Sequence, residues 1–296
     1  MRVLVTGATG FVGYVVASAL HEAGHDVVAL SRSAGALPPG VERLPGDLCD
    51  PPSLSGVTRG RFDAACHLAA LVRVRDSRAD PLRFWRTNVG GTLALVDALV
   101  AQAAAPVRLV VASTCAVYGD SAVQPVAEDA APAPGHPYGA AKLAADRAVA
   151  DVAATGAVGA VSLRAFNVAG GVAGHGDRDT TRLVPKLVAV AHGRAPELAV
   201  NGDGSAVRDY VHVADMAAAF VRALDACRLG RWTAYHVGAG RGSTIAEVIA
   251  AAEAVAGRRL PVRFGPPVPE PAALVADPGR IRRELGWTAP RSDLRP

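Results

Sequence analysis

Lysine is nearly missing from this chain. Of its 31 Lys and Arg residues only two are lysines, Lys142 and Lys186. The basic residues form no run and no stripe interleaved with aromatics, which make up 5% of the sequence. Little is left to hold a nucleic-acid backbone, so no nucleic-acid partner is expected. The four cysteines, Cys49, Cys66, Cys115 and Cys227, lie far apart with no C-x-x-C pair. That spacing argues against a metal site and for free thiols in a reducing compartment. No stretch approaches the ~20 apolar residues of a membrane span. The chain opens on the strand-like run MRVLVTG rather than on a leader-like segment. A cytoplasmic protein without a membrane partner is the expectation.

What is present is an alternation of strand and helix patterns. With 296 residues, 50% hydrophobic, 20% charged and a net charge of +4, the chain can bury one large core or two that adjoin. RVLVTG (2–7) and DVVAL (26–30) are short β-branched runs, and between them apolar residues recur at helical spacing from Phe11 to Leu20. FDAACHLAA (62–70), VRLVVAS (107–113) and AVSLRAF (160–166) extend the strand series. The segments 87–103 and 138–154 supply helices between them. Strands alternating with helices predict an α/β fold, a Rossmann-type doubly wound parallel sheet. After residue 166 the pattern loosens. A smaller, mixed C-terminal substrate lobe is expected from 167–206 and 238–296, with 207–237 returning to the first domain, 1–166.

Gly7, Gly10 and Gly13 follow the first strand and open the first helix. Glycines at that crossover let a pyrophosphate approach backbone N–H groups at the positive end of a helix, so a dinucleotide is expected there. At the end of the second strand, where a carboxylate would hold the adenosine ribose, stand Ser31 and Arg32. That pair suits a 2′-phosphate better than a bare ribose, which leaves NADP open beside NAD; an ordinary solvated arginine is the plainer account.

Lys142 falls four residues after Tyr138 in YGAAK, within a helical segment, so both side chains can address one pocket. A phenol with pKa near ~10 is about 0.1% ionised at neutral pH, and a buried ammonium beside it favours the phenolate. Ser113 and Thr114 close the preceding strand and bring hydroxyls to the same region. A hydroxyl, a phenol and an ammonium around a nicotinamide make a site for proton and hydride transfer.

The set GATGFVG, HLAA, NVGGT, STCAVYG, PYGAAK, LRAFN and RDYVHVAD, in this order, resembles the extended short-chain dehydrogenase/reductase family, most closely its UDP-glucose 4-epimerase branch. The resemblance implies Tyr138 as acid/base, Lys142 as the group that lowers its pKa and holds the nicotinamide ribose, and Thr114 as partner of the reacting sugar oxygen. It implies cofactor contacts at Phe11, Val12, Asp47, Leu48, Leu68, Ala69, Ala70, Asn88 and Phe166. Asn167 and Arg208 match positions that hold the substrate diphosphate, with Arg182, Leu183 and Asn201 beside them in the substrate region. A homodimer through helices flanking 87–103 and 138–154 is common in that family.

Three departures qualify the match. Dehydratases of the superfamily follow the Ser/Thr with an acid, but Cys115 and Ala116 follow Thr114 here. Pro267 and Pro269 stand where an arginine and a glycine are usual, and Asn201 where an aromatic faces the base. The expected activity is a nucleotide-sugar 4-epimerase working by transient oxidation at the C4 hydroxyl. An NADPH-dependent ketoreductase of a keto-sugar is the alternative, and a dinucleotide-binding sensor without turnover is a third reading.

Overall fold

The structure, a computed structural model, describes residues 1–102 and 106–292. Residue 103, the expected end of one helix, and residues 293–296, the tail of the expected lobe, lie outside the described residues.

The β-branched runs form the strands β1 (Arg2–Thr6), β2 (Asp26–Ser31), β3 (Glu42–Pro45), β4 (Ala64–His67), β5 (Val107–Thr114) and β6 (Val158–Ala165). With Trp232–Val237 they make, among the described residues, a seven-stranded sheet in the order 3-2-1-4-5-6 followed by Trp232–Val237. Every neighbouring pair in it is parallel.

The two-residue period of a strand sends alternate side chains to opposite faces, and both faces are buried. Val3 and Val5 pack with Val16 and Leu20 of helix α1 (Phe11–Glu22) and with Phe220 and Leu224 of the helix Val213–Ala226. Leu4, between them in β1, packs with Leu95 and Leu99 of the helix Gly91–Val100 and Val149 of the helix Pro137–Ala154. Burying each such leucine contributes roughly 1.5–3 kcal/mol.

Three local differences from the sequence pattern have physical causes. The strand expected over 62–70 ends at His67, because the Leu68 and Ala69 N–H groups turn to the Thr6 hydroxyl. The helix expected from 87 is preceded by a widened π turn over Trp85–Gly90 and becomes regular at Gly91. The edge strand Glu42–Pro45 has no wholly buried residue and ends in proline, so it carries no apolar alternation to read.

Beyond β6 the chain builds smaller sheets. Asn167–Ala169 pairs in parallel with Val207–His212, and Leu198–Asn201 with Val262–Gly265. The helices Leu183–Ala191 and Ile245–Ala256 close a separate apolar cluster that includes Leu187, Val200, Tyr210 and Ile249. Of the expected return over 207–237, the strand Val207–His212 lies in one of these smaller sheets, the helix Val213–Ala226 packs on α1, and Trp232–Val237 joins the central sheet. Among the described residues no helix is long and apolar enough to cross a membrane.

Candidate functional site

A cavity of about 1180 Å³ opens at the carboxyl ends of the central strands, where the order reverses between β1 and β4. Its floor is the turn from β1 into α1. Gly7 has φ +77°, and a Cβ there would come 2.8 Å from the Ala69 nitrogen. A Cβ on Gly13 would meet the Gly7 carbonyl oxygen at 2.1 Å. The turn is therefore a cradle that only glycine permits, with α1 pointing its amino end into the cavity. A pyrophosphate fits these residues. Phe11 and Val12, in the first turn of α1, line the same wall.

The next wall is Leu68, Ala69 and Ala70, and it is held from behind. The Leu68 and Ala69 N–H groups donate to Thr6 Oγ1 at 3.2 and 3.1 Å. Thr6 Oγ1 lies 2.7 Å from His67 Nδ1, and His67 Nε2 lies 2.9 Å from Thr92 Oγ1, which itself donates to the Asn88 carbonyl at 2.6 Å. Because Thr92 spends its proton on Asn88, His67 must donate from Nε2 and accept from Thr6 at Nδ1. Burial, with Lys142 nearby, lowers His67 to about 3, which keeps the ring neutral as this chain of bonds requires. Asn88 is buried behind the wall rather than in it, and its amide pairs with both backbone groups of Leu71 at 2.8 and 2.9 Å.

Beside the end of β2 the cavity is lined by Ser31, Arg32, Asp47 and Leu48, the residues expected at the adenosine. The Asp47 carboxylate accepts from the Cys49 N–H at 2.9 Å, as a turn cap would, and also faces Arg32 Nη1 at 3.8 Å.

Tyr138 and Lys142 both reach the cavity from the helix Pro137–Ala154, one turn apart. His136 starts that helix by accepting the Gly139 N–H on Nδ1 at 3.1 Å, and Pro137 occupies the first turn, where no N–H is needed. The His136 ring stacks along the Tyr138 ring at 6.0 Å, and Phe84 meets it edge-on at 6.4 Å. The tyrosine is thus fixed on two sides.

The phenol itself is not poised low. Burial pushes Tyr138 up to about 12, while the Thr114 hydroxyl and the Arg182 guanidinium pull the other way. Burial also lowers Lys142, against the raising effect of Asp146. Desolvation of the phenolate outweighs the neighbours that favour it.

Ser113 and Thr114 part company. Thr114 Oγ1 accepts from the Ala116 N–H at 3.2 Å and remains at the cavity wall. The Ser113 hydroxyl donates to the buried Asp146 carboxylate at 2.9 Å, which also receives Arg164 Nε at 3.3 Å. Arg164 Nη1 continues to the Tyr118 hydroxyl at 2.6 Å, and that hydroxyl to His236 Nε2 at 2.7 Å. Sequence reasoning missed this polar network and His67. The available signals were Asp146, four residues after Lys142, and the histidine that opens HLAA.

Phe166, Asn167, Arg182, Leu183 and Arg208 bound the remaining side of the cavity. Arg208 forms a 2.9 Å ion pair with Glu270, and Arg182 a 2.8 Å pair with Asp177. Asn167 Nδ2 donates to the Asp209 carbonyl at 3.2 Å. Asn201 does not join this group. It is exposed at the end of its strand, in register with Gly265, and is not part of the cavity wall.

The model of the NAD dependent epimerase/dehydratase family matches residues 3–238. A UDP-glucose 4-epimerase of Streptomyces lividans is 40% identical over 309 residues, covering 99% of this chain and 93% of that protein. A UDP-glucose 4-epimerase structure from Stenotrophomonas maltophila, with bound NAD and formylated UDP-arabinopyranose, superposes with TM-score 0.91 at 34% identity. The match covers 99% of this chain and 94% of the other. A UDP-glucose 4-epimerase from Bifidobacterium longum in complex with NAD+ and UDP gives 0.90 at 30% identity, covering 98% and 93%.

Proposed function

This chain belongs to the NAD-dependent epimerase/dehydratase family, and on that premise we propose that it is a nucleotide-sugar 4-epimerase acting on a UDP-hexose-like substrate. The observation that carries the reading is that Thr114, Tyr138 and Lys142 share one cavity wall with the glycine cradle. Bound NAD supplies there an acceptor, and then a donor, for the hydride of the sugar C4 carbon.

The protein's own part is proton handling and positioning. Tyr138 takes the proton of the C4 hydroxyl as the C4–H bond breaks, and gives it back when hydride returns to the opposite face of the keto sugar. Thr114, whose hydroxyl works against the burial that raises Tyr138, is placed to hold the same oxygen. Lys142, buried at 3% exposure, is placed to donate to the ribose next to the nicotinamide and to favour the phenolate. Leu68–Ala70, fixed by Thr6 and His67, would press on the dinucleotide from the other side. Arg182, Arg208 and Asn167 are the proposed diphosphate partners, and Arg208 would exchange Glu270 for phosphate as substrate enters. The protein would work in the cytoplasm as a homodimer through the helices Gly91–Val100 and Pro137–Ala154, the first of which exposes Leu93 and Val100.

The test is to incubate the purified protein with UDP-galactose, without added reductant, and follow the anomeric proton signals. Conversion to UDP-glucose is expected. Failure with every UDP-hexose, joined to stoichiometric NADPH consumption on a nucleotide-linked keto-sugar, would replace the epimerase by the one-way ketoreductase. Two observations favour that second reading: Ser31–Arg32 at the end of β2, and Pro267 and Pro269 beside the substrate region.

A further inference from the structure

The residues at the end of β2 take no part in the chemistry above, and they poorly suit a bare adenosine ribose. In a crevice of this kind the last residue of β2 faces the ribose hydroxyls, and a carboxylate there accepts both. Ser31 holds that place, followed by Arg32 and Ser33. The Ser31 hydroxyl spends its proton on the Ser33 carbonyl at 2.9 Å. Arg43, from β3, binds the carbonyls of Ser33 and Gly35 with its two terminal nitrogens. The loop is thereby held against the glycine turn, so close that a Cβ on Gly35 would come 3.1 Å from Thr9 Cγ2.

Thr9, Arg32 and Ser33 line the cavity at this point. The Arg32 side chain is 72% exposed, and its ion-pair partner among the described residues, Asp47, stands 3.8 Å away. That separation is too long for a direct hydrogen bond, so the guanidinium keeps its donors for another anion. Arg43 adds a second cation behind the loop. A ribose 2′-hydroxyl gains little from such a surface. A phosphate gains charge-assisted hydrogen bonds.

We infer that the adenosine end accepts a 2′-phosphorylated dinucleotide, NADP, alongside NAD, with Arg32 as the residue that determines this. The inference rests on the reading that the crevice holds a dinucleotide. Asp47 keeps its place by the Cys49 N–H whichever cofactor enters.

The test uses the whole protein freed of nucleotide, titrated calorimetrically with adenosine 2′,5′-bisphosphate and with 5′-AMP, which differ only in the 2′-phosphate. The bisphosphate should bind at least tenfold more tightly, and NADP+ no more weakly than NAD+. Arg32→Ala should erase most of the bisphosphate advantage while weakening 5′-AMP much less. Ser31→Asp, which restores the carboxylate, should turn the preference towards NAD+. Equal binding of bisphosphate and 5′-AMP to the wild type, or an equal loss of both in Arg32→Ala, overturns the inference. If neither nucleotide nor NAD+ binds, the dinucleotide reading falls too, so the two failures are told apart.

Discussion

Ser113 and Thr114 both line the cavity, but the Ser113 hydroxyl is committed to the Asp146 carboxylate, 2.9 Å away. Two adjacent hydroxyls at the end of β5 therefore have different duties. Ser113 joins the buried Asp146–Arg164 pair to the sheet, and Thr114 is left for the proposed contact with the sugar oxygen. Thr114→Val should lower kcat by about 10²-fold, the lower end of what a positioned proton-transfer partner contributes. Ser113→Ala should leave kcat within about threefold and cost roughly 1 kcal/mol of stability for the lost hydrogen bond. Turnover and urea midpoints of both variants decide the matter, and a reversed pattern would exchange the two roles.

Lys142 is the second point of leverage. Burial pushes the Tyr138 phenol up to about 12, so a phenolate near neutrality needs a neighbour that favours it. In the proposed mechanism that neighbour is the Lys142 ammonium, which lines the same cavity. Activity should rise with pH as the phenol ionises. Lys142→Met should move that rise at least one pH unit to the alkaline side, with kcat at neutral pH reduced tenfold or more. A variant whose pH profile coincides with wild type would remove the ammonium from the account.

The glycine cradle gives a prediction that needs no turnover. A Cβ on Gly13 would stand 2.1 Å from the Gly7 carbonyl oxygen, so the turn must open to admit it. Gly13→Ala should abolish detectable NAD+ binding, or weaken it by at least 10²-fold. Gly24→Ala is the control for backbone effects: Gly24 also has positive φ, +83°, but nothing lies within 4 Å of its Cβ position. If Gly13→Ala binds NAD+ as wild type does, the pyrophosphate lies elsewhere.

The readability of this molecule divides by physical cause. β1, β2, β5 and β6 were legible because both faces of the sheet are buried and their runs are mostly apolar and rich in valine. Gly7, Gly10 and Gly13 were legible because a tight crossover tolerates no substitute, and Tyr138 with Lys142 because helical spacing places residues four apart on one face. β3 was not legible, being a short, half-exposed edge ending in Pro45. Nor was the division of labour between Ser113 and Thr114, which depends on Asp146 arriving from a helix 33 residues later. Nor was the desolvation that raises Tyr138 legible, because burial is a property of the assembled cavity. Asn201 was carried into the site by family position alone, and its strand leaves it in solvent.

His67 provides a test in which stability, not catalysis, is read. Its ring is wholly buried and lowered to about 3, and His236 is likewise lowered to about 4 by burial and by Arg164. In the unfolded chain both would titrate near ~6.5. Between that value and their folded values the unfolded state binds protons that the folded state refuses. Stability is therefore full above about pH 6.5 and falls as pH drops, by up to about 1.4 kcal/mol per pH unit for each histidine. Urea midpoints measured from pH 7 down to pH 4.5 should show this decline. His67→Gln keeps a side-chain amide able to donate and accept but cannot protonate, so it should be less stable at pH 7 yet decline less steeply than wild type. Parallel slopes for the two proteins would mean that His67 is charged in the fold, and the chain of bonds from Thr6 to Asn88 would have to run in a different sense.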